Sequence, residues 1–224
     1  MDELGFHEAM RKAKKSDRAI QAHIEGTQTF EAYLAAQGKT LESATPEDLR
    51  TFARDSKTDV FGIWCYYEYA GNEAMWATAS DLWSAPNYAK FKLKEFLDVD
   101  QEAIEVLKRH GIVTCPQMVA AGRTPQMRNE LAEKTGLSKE TILELVKLSD
   151  QARIGGHKRI RARLFHNAGL DTLDKIAAKE PEQVRQVLIE YIERIGFPGI
   201  PPTPKEAAHS VTLARYLPRL VEYN

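Results

Sequence analysis

Apolar residues recur along most of the chain at the spacing of an amphipathic α-helix. Within residues 60–67, apolar side chains stand at positions i, i+3, i+4 and i+7, namely Val60, Ile63, Trp64 and Tyr67. This spacing places them on one face of a helix. No segment alternates apolar and polar residues over a useful length, as a half-buried strand would. The pattern therefore predicts an all-α fold.

Capping residues and glycines divide this pattern into a succession of helices. Thr45 followed by Pro46 combines a side-chain N-cap with a proline at the first helical position, and Gly136 is typical of a helix end. Residues 6–36 are predicted to form one or two helices, with Gly26 as a break. Later helices are predicted to begin at Pro46, near Val60 and at Glu73, and then to cover residues 100–110, 114–121, 125–135, 139–152, 160–168, 172–179, 181–195 and 205–217.

Prolines are expected to divide the chain into three parts. Because a proline inside a helix removes a backbone hydrogen bond, the helix that begins at Glu73 is expected to end near Trp83, before Pro86. Residues 197–204 contain four prolines and are expected to form a stiff linker. We therefore expect a helical bundle over residues 1–85, a second helical domain over 86–197, and a linker with a last helix over 198–224.

The composition is that of a soluble globular chain, with 43% hydrophobic and 28% charged residues and a net charge of −1. The charge is uneven, however. Residues 1–100 carry 12 Lys+Arg against 17 Asp+Glu, and residues 101–224 carry 19 against 15. A basic second half is a mild indication of a basic interaction face, although a split of this size also arises by chance.

Cysteine usage and hydropathy exclude several classes of protein. Cys65 and Cys115 are the only cysteines, so neither a disulfide framework nor a cysteine-based zinc site is predicted. No apolar run approaches the roughly 20 residues of a membrane span, and the first 15 residues are charged rather than apolar. We therefore expect no membrane association and a cytoplasmic location.

Residues 151–170 carry the strongest chemical signal, since they contain five Lys/Arg and two His but no acid. Gly155 and Gly156 stand just before a predicted helix, and a glycine turn at a helix N-terminus presents N–H groups that suit an anion. Basic side chains beside such a turn are typical of contact with a phosphate backbone; a solvated basic turn is the alternative. The candidate site comprises Gly155, Gly156, His157, Lys158, Arg159 and Arg163.

A repeat with an offset of 58 residues relates this region to an earlier one. Gly111 matches Gly169, and Thr114 matches Thr172. The repeat aligns residues 96–100, the first hairpin, with residues 154–158, the second hairpin. The first hairpin carries two aspartates and would repel phosphate, whereas the second is glycine-rich and basic. Any phosphate contact is therefore expected at the second hairpin alone.

The second hairpin and the helix after it resemble a helix-hairpin-helix motif. The resemblance is carried by Ile154 and Gly156 in the turn, and by Ala162, Leu164 and the segment Ala168-Gly169-Leu170 after it. The upstream residues 123–138 are similar to a bacterial and archaeal domain of unknown function built from paired units of this kind. The resemblance covers roughly residues 91–193 and implies an all-α fold whose relatives bind DNA non-specifically through hairpin amides.

The same segment departs from the motif at two positions. His157 stands where an apolar residue is usual, and Lys158 stands where a glycine is usual. A lysine that had to adopt a positive φ would be strained. The charge of Lys158 adds to the basic character of the hairpin.

The N-terminal half resembles the SAM-like core-binding domain of phage integrases and tyrosine recombinases. The likeness lies in residues 16–34, 38–41, 44–49 and 66–73, and it implies a four-helix module that grips DNA. The catalytic domain of those enzymes has no counterpart in the chain, so their chemistry is not carried over.

Two further groups of residues have both a functional and a structural interpretation. Trp64, Tyr67, Trp76 and Trp83 could stack single-stranded bases, but their spacing fits a core stripe better, which leaves Tyr66 and Tyr69 as the more exposed aromatics. The cluster of Arg11, Lys12, Lys14 and Lys15 could be an arm on nucleic acid, but is more typical of a solvated helix end.

Catalytic and metal-binding signatures are absent from the sequence. The six histidines form no i, i+4 pair and no H-E-x-x-H, and there is no nucleophile elbow, P-loop or dinucleotide fingerprint. We therefore expect no cofactor, no metal and no enzymatic activity. The prediction is a sequence-independent DNA-binding or adaptor protein; the alternative is a protein–protein interaction module, which the acidic N-terminal half favours.

Overall fold

A computed structural model describes residues 1–56 and 58–224. Over these residues the protein consists of α-helices and one short 3₁₀ helix, Leu93–Glu95, without a β-strand. The predicted all-α fold is confirmed. The helices are α1 Glu3–Lys12, α2 Asp17–Ala35, α3 Pro46–Ser56, α4 Phe61–Ala70, α5 Glu73–Ala89, α6 Gln101–Arg109, α7 Cys115–Ala121, α8 Pro125–Thr135, α9 Lys139–Gln151, α10 Arg159–Asn167, α11 Leu173–Ala177, α12 Pro181–Ile195 and α13 Pro204–Tyr216.

Two helices are longer than their sequence predicts. Helix α2 passes through Gly26, because a helical glycine costs only about 1 kcal/mol relative to alanine and the helix buries a full apolar face. Helix α5 passes through Pro86 and ends at Ala89, so the predicted stop near Trp83 is wrong. Pro86 has no N–H to donate to the carbonyl oxygen of Leu82, so α5 lacks one backbone hydrogen bond near its end.

The chain forms two compact units, Met1–Trp83 (unit 1) and Ser84–Asn224 (unit 2). In unit 1, α2 packs against α1, α3 and α4. Gly62 lets α4 approach α2 closely, since a Cβ atom there would lie 2.6 Å from the carbonyl oxygen of His23. The core of unit 1 includes Phe6, Ile20, Phe30, Leu34, Ile63 and Tyr67.

Unit 2 contains two successive groups of four helices, α6 to α9 and α10 to α13. Helices α6 and α10 have nine residues each and begin at Gln101 and Arg159, the offset of the sequence repeat. After them, Gly111 and Gly169 adopt left-handed φ angles of 80° and 83°. Helices α9 and α13 have 13 residues each, and each packs on the two helices that precede it. The repeat therefore extends over eight helices.

The C-terminal segment belongs to unit 2. Helix α13 packs on α11 and α12, and the residues after it return to α8 and α9. Arg128 Nη2 donates to the carbonyl oxygen of Glu222 at 2.9 Å, and Tyr223 Oη donates to Asp150 Oδ2 at 3.1 Å.

None of the helices in the described part of the chain has both the length and the apolar character needed to cross a membrane.

Candidate nucleic-acid interface

The second hairpin joins α9 to α10 and is anchored to the core from within. Ile154 is fully buried, and its N–H donates to the carbonyl oxygen of Gln151 at 2.9 Å. The N–H of His157 donates to the carbonyl oxygen of Ile154, also at 2.9 Å. Gly156 has a φ of 89°, so the backbone itself requires glycine there although a Cβ atom would meet no neighbour.

The left-handed residue at the start of α10 is Arg159 rather than Lys158. Lys158 is extended, with a φ of −125°, so it does not carry the strain that a positive φ would impose. Arg159 has a φ of 45°, a conformation that costs an L residue roughly 1–2 kcal/mol.

Four backbone N–H groups of the second hairpin and the start of α10 lack an acceptor among the described residues. Among the described residues, the amides of Gly155, Gly156, Arg159 and Ile160 have no hydrogen-bond partner. Gly156, Arg159 and Ile160 are exposed, and Gly155 is half-buried. The positive end of the α10 dipole lies at the same place, so the hairpin offers an anion both donors and a favourable potential.

In the first hairpin, the chain supplies such an anion itself. Asp98, with a φ of 52°, takes the place of Gly156. The carboxylate of Asp100 caps α6 by accepting hydrogen bonds from Glu102 N at 2.9 Å and Ala103 N at 3.2 Å. At the equivalent position of the second hairpin stands Lys158, whose side chain makes no such bond. The Arg159 and Ile160 amides at the start of α10 therefore have no internal acceptor within the described chain, whereas the N–H of Arg161 donates to the carbonyl oxygen of Lys158 at 2.9 Å.

His157 is a buried structural residue. It is 2% exposed, and its Nε2 lies 2.9 Å from Ser210 Oγ. The Ser210 hydroxyl donates to the carbonyl oxygen of Glu206, so Nε2 is the donor in the His157–Ser210 bond. Nδ1 then has no partner among the described residues. Burial lowers the pKa of His157 to about 3, so the imidazole is neutral and inaccessible. Although His157 belongs to the predicted site, its side chain is not placed to contact a phosphate.

Arg163 is also turned inward. It is 4% exposed, and its Nε and Nη2 donate to the carbonyl oxygens of Leu97 at 2.8 Å and Asp98 at 3.1 Å. Its Nη1 lies 2.8 Å from Glu144 Oε1. Arg163 therefore holds the backbone of the first hairpin, and it cannot also bind a phosphate.

Lys158 and Arg159 remain as the cations of the second hairpin. Lys158 is half-buried, with its Nζ 5.3 Å from the centre of the Phe91 ring. The Arg159 side chain is 70% exposed and pairs with Glu95 at 3.0 Å. An exposed ion pair contributes about 0–1 kcal/mol, so Arg159 can exchange this carboxylate for a phosphate at little cost. Arg161 is directed elsewhere, toward Glu206.

The second basic cluster lies at the turn between α1 and α2. Its four side chains, Arg11, Lys12, Lys14 and Lys15, are exposed, and Arg11 pairs with Asp17 at 2.9 Å.

Two aromatic predictions are wrong: Trp83 is 47% exposed rather than core, and Tyr66 is 5% exposed because its ring packs edge-on against Phe6.

Buried arginines are the feature that sequence reasoning missed. Arg153 pairs with Asp150 at 2.8 Å, with side chains 5% and 3% exposed. The i, i+3 spacing of these two residues was the available signal.

In the described part of the chain, no three His, Cys, Asp or Glu side chains are grouped as a metal site would require.

A protein family matches this chain. Its description is a domain of unknown function, DUF4332, and the match covers residues 98–217, more than half of the chain. It begins in the first hairpin and extends just beyond α13. No curated protein and no solved structure matches the chain.

Proposed function

The chain belongs to the DUF4332 family, which brings no assigned activity, and we propose that it binds the phosphate backbone of duplex DNA without enzymatic action and without reading base sequence. Binding takes place at the second hairpin. The amides of Gly155, Gly156 and Arg159, together with the side chains of Lys158 and Arg159, form the contact.

The contrast between Asp100 and Lys158 carries this proposal. Two helices of equal length begin at equivalent positions of a repeat, and only α6 has a carboxylate on its N-terminal amides. Phosphate oxygens supply the same acceptors to α10 when DNA is bound. The sequence resemblance to helix-hairpin-helix motifs, whose relatives bind DNA through hairpin amides, supports the same interpretation.

The net positive charge of unit 2 favours the binding of a polyanion. Residues 84–224 carry 22 Lys+Arg and 18 Asp+Glu. With two cations at the contact, the logarithm of the affinity should fall against the logarithm of the salt concentration with a slope of about −2. Backbone contacts carry no sequence information, so duplexes of different sequence should bind equally well.

Fluorescence polarisation with a labelled random-sequence duplex tests the proposal. Lys158→Glu/Arg159→Glu should abolish binding at low salt. The matched control, Lys108→Glu/Arg109→Glu, makes the same charge change on exposed residues of α6 and should retain most of the wild-type affinity. Equal affinity of the hairpin variant and the wild type would refute the site.

A protein-interaction role is the second candidate, and a groove beside the second hairpin favours it. The groove has a volume of about 280 Å³ and is lined by Ile160, Arg161, Leu164, Pro198, Gly199 and Ile200. Ile160 is 43% and Ile200 78% exposed, and exposed apolar side chains in one patch are typical of protein contacts. Failure of the wild type to bind any duplex at low salt would favour this second role.

A further inference from the structure

A chain of aromatic rings reaches the surface of unit 1 at Trp83. The Trp83 ring lies 5.2 Å from the Phe61 ring and 6.1 Å from the Trp64 ring, centre to centre, and its plane is 7° from that of Trp64. Trp83 is nevertheless 47% exposed. The ring is therefore held by packing, while much of it remains open to solvent.

One lysine of the α1–α2 turn lies beside these rings. Lys15 Nζ is 5.9 Å from the centre of the Phe61 ring. Lys12, Lys14 and Lys15 are exposed and form no ion pair with any acid in the described part of the chain.

Two acids lie close to this surface. Asp17 is paired with Arg11, and Asp59 Oδ1 accepts a hydrogen bond from the backbone N–H of Phe61. Lys15 thus places a positive charge beside the Phe61 ring, and these two acids have partners of their own.

We propose that this stacking surface, formed by Phe61, Trp83, Lys12, Lys14 and Lys15, binds single-stranded nucleic acid. An exposed ring held by other rings offers a base a flat partner, and stacking contributes about 1–3 kcal/mol per base. The lysines neutralise the adjacent phosphates. A duplex conceals its base faces, so the stacking surface selects single strands. It shares no residue with the second hairpin, and the inference does not rest on the proposed duplex binding.

The test uses the full chain with Lys158→Glu/Arg159→Glu, which removes the proposed duplex site. Labelled 12-nucleotide single strands of mixed sequence, one of DNA and one of RNA, are titrated at low salt, and tryptophan fluorescence is recorded. Both strands should bind and quench the fluorescence. Trp83→Ala should weaken binding about fivefold or more, whereas Trp83→Phe, which keeps a ring, should stay close to the parent.

Charge and stacking are separated by further variants and a further probe. Lys14→Ala/Lys15→Ala should reduce both the affinity and its salt dependence. Leu4→Ala, which changes an apolar residue of unit 1 that is 74% exposed, should have no effect. An abasic oligomer of equal charge should bind more weakly, and its affinity for Trp83→Ala should equal its affinity for the parent.

Three results would overturn the inference: no binding of either strand, equal binding by Trp83→Ala and its parent, or equal binding of the abasic and base-carrying oligomers. Because every protein in the series lacks the hairpin cations, none of these results bears on the duplex site.

Discussion

Arg163 Nε donates a 2.8 Å hydrogen bond to the carbonyl oxygen of Leu97, so a helix of the second repeat holds the hairpin of the first. The sequence places Arg163 in a basic segment, but its charge serves the internal structure of unit 2. The cations left for an external anion are therefore fewer than the composition of residues 151–170 indicates.

Arg163→Met should lower the free energy of unfolding by about 2–4 kcal/mol. The substitution keeps much of the side-chain volume but leaves two carbonyl oxygens without their donor and Glu144 without its cation. Chemical denaturation measures the loss. Arg159→Met, which breaks only an exposed pair, should cost less than about 1 kcal/mol, and similar losses for the two variants would contradict the structural role of Arg163.

His157 should make unit 2 less stable in mild acid. Its pKa is lowered from 6.5 to about 3 by burial, so between these values the unfolded chain binds a proton that the folded chain does not. Stability is then fully present above pH 6.5 and falls toward pH 3, by at most about 1.4 kcal/mol per pH unit.

His157→Leu removes this contribution, and leucine restores the apolar residue usual at this position of the motif. Denaturation of both proteins between pH 7 and pH 4 should show the wild type losing more stability than the variant. Parallel pH profiles would mean that His157 is not held neutral.

Gly156→Ala and Gly26→Ala should have opposite effects. Alanine at Gly156 must adopt a φ of 89°, which costs about 1 kcal/mol or more. Alanine at Gly26 sits inside α2, where its Cβ would meet nothing closer than 3.8 Å, and should stabilise by up to about 1 kcal/mol. Thermal unfolding compares the two variants with the wild type; stabilisation by Gly156→Ala would show that the left-handed turn is not required.

Lys158→Asp should give the second hairpin the capping carboxylate of the first. The new side chain can accept from the amides of α10 as Asp100 does from those of α6, and a side-chain N-cap contributes about 1 kcal/mol. We expect greater stability together with lost duplex binding, measured by denaturation and polarisation. If the variant is more stable but still binds the duplex, the amides of α10 do not form the DNA contact.

Local sequence signals predict the ends of the unit 2 helices closely. Thr124 and Thr203 cap helices that begin with proline, and Gly136 ends α8 in the left-handed conformation. Such signals are read within a few residues. Outside this set, α2 passes through Gly26 and α5 passes through Pro86, so a local helix-breaking signal does not always end a helix.

The candidate site could be predicted only in part. Gly156 has the positive φ that its motif implies, because the requirement is local to the backbone. The burial of His157 and Arg163 depends on Ser210 and on Leu97, 53 and 66 residues away in the sequence. Periodicity and charge carry no information about such partners.

The most direct test of the duplex site is an amide ¹H–¹⁵N spectrum of the full chain during titration with a random-sequence duplex at low salt. Duplex binding at the second hairpin should give saturable shifts of the Gly155, Gly156, Arg159 and Ile160 amides, unchanged amides in residues 97–101, and no shifts in the Lys158→Asp variant. Unchanged resonances at the second hairpin, or shifts of equal size at both hairpins, would contradict it.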